Sequence, residues 1–165
     1  LNWLTKYGLH PHLTIMVGYY WQTQNQLDRT VSEVKRLMLS GLARTLQVTL
    51  CTPIDYTPYH LECIQEGVLE TDDYDDFDMS RLIVKTPIPH DQYYKAVREM
   101  YSIAFHPLFL LQQFRFLLTF RSRNWRFLFT YGLRAMRRVR QHVFNLTRNE
   151  GAGTAAKAEK VFPSS

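Results

Sequence analysis

The chain has little cysteine and no long apolar run, and it lacks the short motifs of several enzyme classes. Its two cysteines, Cys51 and Cys63, cannot form a metal site alone. We expect both to be buried structural thiols, because a free cysteine packs as a small hydrophobe. No run of about 18 apolar residues occurs, so the sequence predicts no membrane-spanning helix. A nucleophile elbow, a P-loop and a dinucleotide fingerprint are also missing, which leaves hydrolase functions without motif support.

The scarcity of cysteine also bears on the cellular compartment. Two cysteines without a recognisable signal peptide suggest a reducing compartment. We therefore expect a cytoplasmic protein, with peripheral membrane association as the alternative. The first residue is Leu1 rather than methionine, and a helix-like "LNWLTKYG" begins at once. This beginning suggests a chain cut from something longer.

Two segments each lack charge of one sign. Eight carboxylates lie between Glu62 and Asp78, and nine arginines with no acidic residue lie between Arg115 and Arg148. Mutual attraction between the two segments is the simplest explanation for both. The acidic run from Asp72 to Asp78 lacks the glycine and the spacing of an EF-hand loop. A solvated or arginine-paired loop is therefore favoured over a calcium site.

The arginines predict a basic amphipathic helix. Arg134, Arg137 and Arg138 fall on one face of it, with apolar residues broadly opposite. Such a helix can pack on the rest of the fold, lie on an anionic membrane surface or contact nucleic acid. We favour these three interpretations in that order.

Apolar periodicity predicts alternating strands and helices in the first half of the chain. The strand "LTIMVG" (13–18) precedes a helix capped by Thr23, with Gln26 completing a capping box. A second strand, from Thr45 to Cys51, precedes a helix that begins at Thr57-Pro58 and runs to about residue 67. Short connections imply parallel pairing with right-handed crossovers. The apolar first strand is consistent with burial on both faces.

The second half is predicted to be mainly helical. The stretch "RLIVKTPIPH" is interpreted as a short strand that runs into a proline-rich turn. Helices are predicted at 91–105, 108–120 and 125–146. The tail at 151–165 has few large apolar residues and is expected to be disordered. The fold class predicted from this order is α/β, a wound sheet or a barrel whose sites lie at the C-terminal strand ends.

Three stretches of the sequence resemble the C-terminal barrel half of radical SAM enzymes. They are "GLHPHLTIMVGYYWQT", "GLARTLQVTLCTPIDYTP" and "DYDDFDMSRLIVKTP". The closest likeness is to the cobalamin-binding subgroup. Its members typically show a strand ending in glycine and then Pro-Gly-Glu-Thr or Pro-Trp-Glu-Thr. A strand ending in Thr-Pro-Tyr-Pro-Gly-Thr-Pro follows, and then an acidic segment and Lys-Thr-Pro. Order and spacing match over roughly Leu1 to Phe105.

The resemblance implies a fold and a set of cofactors. The fold is the C-terminal part of a partial TIM-type (β/α) barrel at 1–89, with a basic helical extension at 90–150 and the tail at 151–165. In the family, S-adenosylmethionine binds a four-iron four-sulfur cluster at the C-terminal mouth of the barrel. One electron cleaves S-adenosylmethionine to give a 5′-deoxyadenosyl radical. The subgroup also binds cobalamin. The implied partner is the missing N-terminal half of the same enzyme.

The resemblance also assigns candidate residues to the adenosine side of the pocket. Met16, two residues before Gly18, takes the position of the apolar residue that packs on adenine. The next strand contributes contacts near its end, which correspond to Gln47, Val48 and Thr49. A bare glycine lets a flat ligand approach the backbone closely. The plain alternative is that Met16 and Gly18 are ordinary core and turn residues, and no catalytic residue is assigned.

This sequence departs from the family pattern at several positions. Tyr20 stands for the usual proline, Gln22 for the usual glutamate, and Ile54-Asp55-Tyr56 for Tyr-Pro-Gly. A tyrosine in place of that glycine penalises a backbone with positive φ, whereas Gln22 keeps a hydrogen-bonding amide. These substitutions favour a competing hypothesis, a non-catalytic barrel remnant that binds anionic lipid through its arginine-rich helices.

No metal site is predicted in this chain. The family ligates its cluster through C-x3-C-x2-C, and two cysteines cannot supply three ligands, so the chain alone is predicted to be inactive. His10 and His12 lie on one side of an extended segment, two residues apart, in a spacing that can suit a metal. A surface pair or a core histidine is the favoured interpretation.

Overall fold

The structure, a computed structural model, describes residues 1–71, 73–79 and 81–119, together with residues 134, 137, 138 and 141. The elements in chain order are α1 Asn2–Lys6, β1 His12–Val17, α2 Gln24–Leu39, β2 Thr45–Leu50, α3 Pro58–Gln65, α4 His90–Ser102 and α5 Pro107–Thr119. Short 3₁₀ helices occupy Tyr74–Phe77 and Ile103–Phe105. The predicted α/β class is confirmed for this part of the chain.

The helices α2 and α3 begin where their capping residues predict. The Thr23 hydroxyl accepts a hydrogen bond from the Gln26 backbone, and the Gln26 side chain accepts one from the Thr23 backbone, so the capping box is complete. The Thr57 hydroxyl caps α3 by accepting a hydrogen bond from the His60 backbone N–H, with Pro58 at the first helical position. The threonine hydroxyls satisfy backbone donors that a helix start leaves unpaired, and proline has no such donor to satisfy.

The two strands pair in parallel, as predicted, with a register from His12 opposite Thr45 to Val17 opposite Leu50. Burial on both faces is wrong for this pair, because side chains alternate between a packed face and an exposed one. One face is covered by helices and the other has no neighbouring layer among the described residues. A strand half covered in this way shows a period of two in its burial.

The packed side holds the core. Leu27, Val31, Val34 and Met38 recur at helical spacing along α2, and all four are buried. Helix α4 packs against α2 and buries Tyr93, Val97 and Met100. Tyr101 of α4 also reaches the outer edge of β2, where its hydroxyl both donates to the Val48 carbonyl (3.1 Å) and accepts from the Val48 N–H (3.0 Å). A side chain therefore occupies this position of the strand edge, which limits pairing with another strand.

The predicted strand in "RLIVKTPIPH" is only an isolated antiparallel bridge between Val84 and Leu69. Two further backbone hydrogen bonds support it, Glu70 N–H to Ile83 (2.9 Å) and Lys85 N–H to Val68 (2.7 Å). Prolines at 87 and 89 end the extended segment, because proline lacks the N–H that a ladder needs. Within the described ranges, the sheet has two strands.

The predicted later helices are partly confirmed. The helix expected at 91–105 is α4 and the 3₁₀ turn after it, and the helix expected at 108–120 is α5, Pro107–Thr119. Arg134, Arg137 and Arg138 are helical and exposed. The rest of the helix predicted at 125–146, and the tail at 151–165, lie outside the described residues. No helix within the described ranges has the length and apolar character needed to cross a bilayer.

Candidate functional site

The exposed face of the sheet is the candidate site. We call it the open face, formed by the side chains of His12, Thr14, Met16, Thr45, Gln47 and Thr49. They share one face because they alternate along two strands in register, with Thr14 opposite Gln47 and Met16 opposite Thr49. Methionine apart, these side chains carry polar groups, so the face can offer hydrogen bonds as well as an apolar contact.

Three of the five sequence-predicted site residues have side chains on this face. Met16 is 47% exposed, Gln47 is exposed, and Thr49 is half-buried. The Thr49 hydroxyl donates to the Ile15 carbonyl at 3.5 Å and retains its capacity to accept. Val48 is buried on the opposite face, and its backbone groups bond the Tyr101 hydroxyl. Val48 therefore orients the strand without reaching the open face.

Gly18 ends β1 in a conformation that a side chain would strain. Its φ is +94°, and a Cβ placed on it would lie 2.3 Å from Cδ2 of Leu82. The leucine side chain therefore occupies the space beside this glycine. The lack of a side chain at Gly18 is explained here by internal packing of the Leu82 segment against the strand end.

Gln22 fixes the turn that follows Gly18. Its buried side-chain Oε1 accepts a hydrogen bond from the Gly18 N–H at 2.8 Å, and its carbonyl accepts one from the Tyr93 hydroxyl at 3.4 Å. A carboxylate oxygen can accept from an N–H in the same way. The Gln22 amide oxygen therefore accepts the hydrogen bond that a glutamate at this position could also accept.

An aromatic cluster stands at the C-terminal ends of the strands. It consists of Tyr19, Tyr20 and Trp21 from the loop after β1 and Tyr59 from α3. Ring centroids lie 5.0 Å apart for Tyr19 and Trp21, 4.7 Å for Tyr20 and Trp21, and 5.8 Å for Tyr19 and Tyr59. The Tyr19 hydroxyl also contacts the Met16 sulfur at 3.4 Å. The cluster therefore adjoins the open face at Met16.

The sequence showed the "YYW" run but did not show its partner. Tyr20 is tied to α3 by a hydrogen bond from its hydroxyl to Glu62 at 2.7 Å. This hydrogen bond is the main reason that the pKa of Tyr20 rises to about 12. Tyr20 is therefore a protonated contact between the loop after β1 and helix α3.

The two thiols lie beside the aromatic cluster. Cys51 and Cys63 are both buried, as predicted, and the Tyr59 hydroxyl lies next to both sulfurs. Burial raises the pKa of the Cys51 thiol to about 11 and also raises the pKa values of Cys63 and Tyr59. Protonated thiols are poor nucleophiles and poor metal ligands at neutral pH.

The charged groups near the site pair with their neighbours. Asp55 contacts the His60 ring at 3.2 Å, and Asp76 in the acidic segment forms an ion pair with Arg81. The Arg44 guanidinium donates to His10 at 3.2 Å. Among the residues that the structure describes, no three histidine, cysteine or acidic side chains come together as a metal site would require.

Comparison of the chain with protein-family models, with curated proteins and with solved structures found no match. Function is therefore inferred from the residues at the strand ends and on the open face. These residues make a partly apolar surface with amide and hydroxyl groups, bordered by aromatic rings. Such a surface suits a flat ligand with polar edges.

Proposed function

We propose that the chain is the C-terminal part of the partial barrel of a cobalamin-type radical SAM enzyme and supplies the adenosine side of the S-adenosylmethionine pocket. The observation that carries this proposal is the open face. A parallel pair covered by helices on one side only is the local geometry of a barrel segment whose inner surface faces the lumen. Met16, Gln47 and Thr49 lie on the open face, which in a complete barrel would form part of that inner surface.

The chemistry of these side chains suits a purine. The Met16 thioether gives a polarisable apolar surface for an aromatic ring. The Gln47 amide provides a donor and an acceptor, and the Thr49 hydroxyl accepts. Binding between an apolar contact and a few polar groups fixes both the plane and the rotation of a flat ligand.

The backbone at Tyr56 supports the resemblance. This residue occupies the place of a family glycine, and its φ is +62°. A left-handed conformation is unusual for tyrosine and ordinary for glycine. The positive φ at Tyr56 is therefore compatible with a glycine at this position in the family.

The iron–sulfur cluster does not fit this chain. Its ligands would have to come from Cys51 and Cys63, which are buried beside Tyr59 and too few. S-adenosylmethionine, when bound by the whole enzyme, would supply the deoxyadenosyl radical. The residues of this chain would hold and orient its nucleoside. After anaerobic reconstitution, the isolated chain is expected to show no visible iron–sulfur absorbance. A stable absorbance that is lost in Cys51→Ala or Cys63→Ala would overturn this assignment.

Nucleoside binding is tested by NMR titration of the chain with S-adenosylhomocysteine. Saturable shifts are expected at the Met16 methyl group and at the amides of Gln47 and Thr49. Truncating Met16 to alanine removes more than 1 kcal/mol of apolar contact, so about a tenfold loss of affinity is expected.

Met79, in the acidic segment, gives a matched control. Its exposed fraction of 48% is nearly that of Met16, 47%. Met79→Ala is expected to leave the affinity unchanged, and uridine is expected to give no saturable shifts. Equal losses in both variants, or equal binding of uridine, would remove the adenosine side of the proposal.

A further inference from the structure

Helix α5 turns four of its described apolar side chains outward. Phe109 is buried against the rest of the fold, and Gln112 donates from its side chain to the Leu39 carbonyl. The opposite side carries large apolar residues, each about half exposed or more. These are Leu108, Leu110, Leu111 and Phe114, which we call the outer stripe.

This arrangement reverses the usual one for a surface helix, in which the polar side faces water and the apolar side faces the core. At 100° per residue, the members of the outer stripe fall on one side of α5 between residues 108 and 114. Phe105, just before the helix, is also exposed. Contiguous exposed apolar surface of this kind marks a binding surface for an apolar partner.

Charge indicates which partner covers the stripe. From Met100 to Asn149 the sequence contains nine arginines and no lysine or acidic residue. Arg115 lies exposed beside the stripe, and the described arginines farther on, Arg134, Arg137 and Arg138, are helical and exposed. A second copy would bring arginine-rich segments of the same sign together, which disfavours self-association through this side.

We propose that the outer stripe of α5 inserts into the surface of an anionic phospholipid bilayer, with Arg115 beside it on the headgroups. Apolar side chains enter the boundary between headgroups and acyl chains, and guanidinium groups bind phosphate with paired hydrogen bonds. Attraction to anionic lipid adds with each basic residue near the surface. This proposal does not depend on nucleoside binding, because α5 and the open face share no residue.

The experiment uses the whole chain and flotation with vesicles of phosphatidylcholine containing about one third phosphatidylserine. Flotation is expected with these vesicles, little with phosphatidylcholine alone, and less as salt increases. The double variant Leu108→Gln, Leu111→Gln is expected to lose about tenfold or more in vesicle affinity. The matched control is Leu61→Gln, Ile64→Gln on α3, since these two side chains are equally exposed at 53%.

A fluorescent label separates lipid from a protein partner. A nitrobenzoxadiazole group is placed on Leu111→Cys or on Leu61→Cys, and the native thiols stay unlabelled because they are buried. A blue shift is expected only at position 111 and only with anionic vesicles. A blue shift at 111 without vesicles would show that protein covers the stripe and would overturn the proposal. Equal flotation of the two double variants, or flotation independent of phosphatidylserine, would also overturn it.

Discussion

At residue 56 the chain adopts a conformation that tyrosine rarely takes. The Tyr56 side chain is 91% exposed, so it contributes almost no packing to offset a φ of +62°. Replacement by glycine relieves left-handed strain of about 1–2 kcal/mol and costs roughly half of that in backbone entropy.

Tyr56→Gly is therefore expected to raise the free energy of unfolding by about 0.5–1 kcal/mol. Urea denaturation measures this change. Tyr56→Ala is the control, because alanine keeps the strain and is expected to give no gain. A gain of the same size in the alanine variant would show that the side chain, and not φ, is responsible.

Single residues also show what the sequence could predict about the site. The sequence placed Met16, Gln47 and Thr49 near the strand ends, and the register put their side chains on one face. It placed Val48 with them, but alternation along the strand turns Val48 to the core. The contact of Tyr59 with the "YYW" run depends on how α3 packs, which no local pattern in the chain records.

At the scale of elements, the C-terminal end of β1 packs against Leu82, two residues before the bridge at Val84. Leu82 packs against Gly18 so closely that a Cβ would clash with Cδ2. Its backbone N–H also donates to the Tyr94 hydroxyl on α4 at 3.2 Å. The leucine thus links the strand end to α4, and a change at either residue affects the other.

Gly18→Ala is expected to cost more than 2 kcal/mol in unfolding free energy, because it adds a clash to a strained φ. Leu82→Ala alone is expected to cost about 2–5 kcal/mol through the cavity it leaves. The double variant is expected to lose less unfolding free energy than the sum of the two single losses, since the clash disappears when Leu82 is truncated. Chemical denaturation of all four proteins completes the cycle, and strict additivity would mean that the two residues do not meet.

Helix starts were predictable because their signals are local. Thr23 and Gln26 lie within one turn, and Thr57 stands directly before Pro58. The open face was not predictable, because an apolar strand looks the same whether one face or both are covered. The extended segment at Val84 was predicted, but its pairing with Leu69 was not, since tertiary packing selects the partner.

At the scale of the whole molecule, alkaline pH is expected to lower the free energy of unfolding through the buried thiols beside the aromatic cluster. The folded pKa of Cys51 is about 11, above the value of about 8.5 for an unfolded thiol. Below the unfolded value both states are protonated and stability is complete. As pH rises from the unfolded to the folded value, the unfolded chain loses its proton first and the folded state loses stability.

The free energy of unfolding is therefore expected to fall above pH 9, at up to about 1.4 kcal/mol per pH unit for this thiol. Cys63 changes in the same direction. Denaturant titrations from pH 8 to 11 measure the slope, and Cys51→Ala is expected to make it shallower. An identical slope in that variant would mean that other groups cause the loss.

The hydrogen bond from the Tyr93 hydroxyl to the Gln22 carbonyl has a consequence for synthesis. Its partners are 71 residues apart, and a ribosome adding about 5–20 residues per second takes roughly 4–14 s to make that length. During this interval the turn after β1 exists without α4, the helix that secures it. The turn therefore cannot take its final hydrogen bond until Tyr93 has been translated.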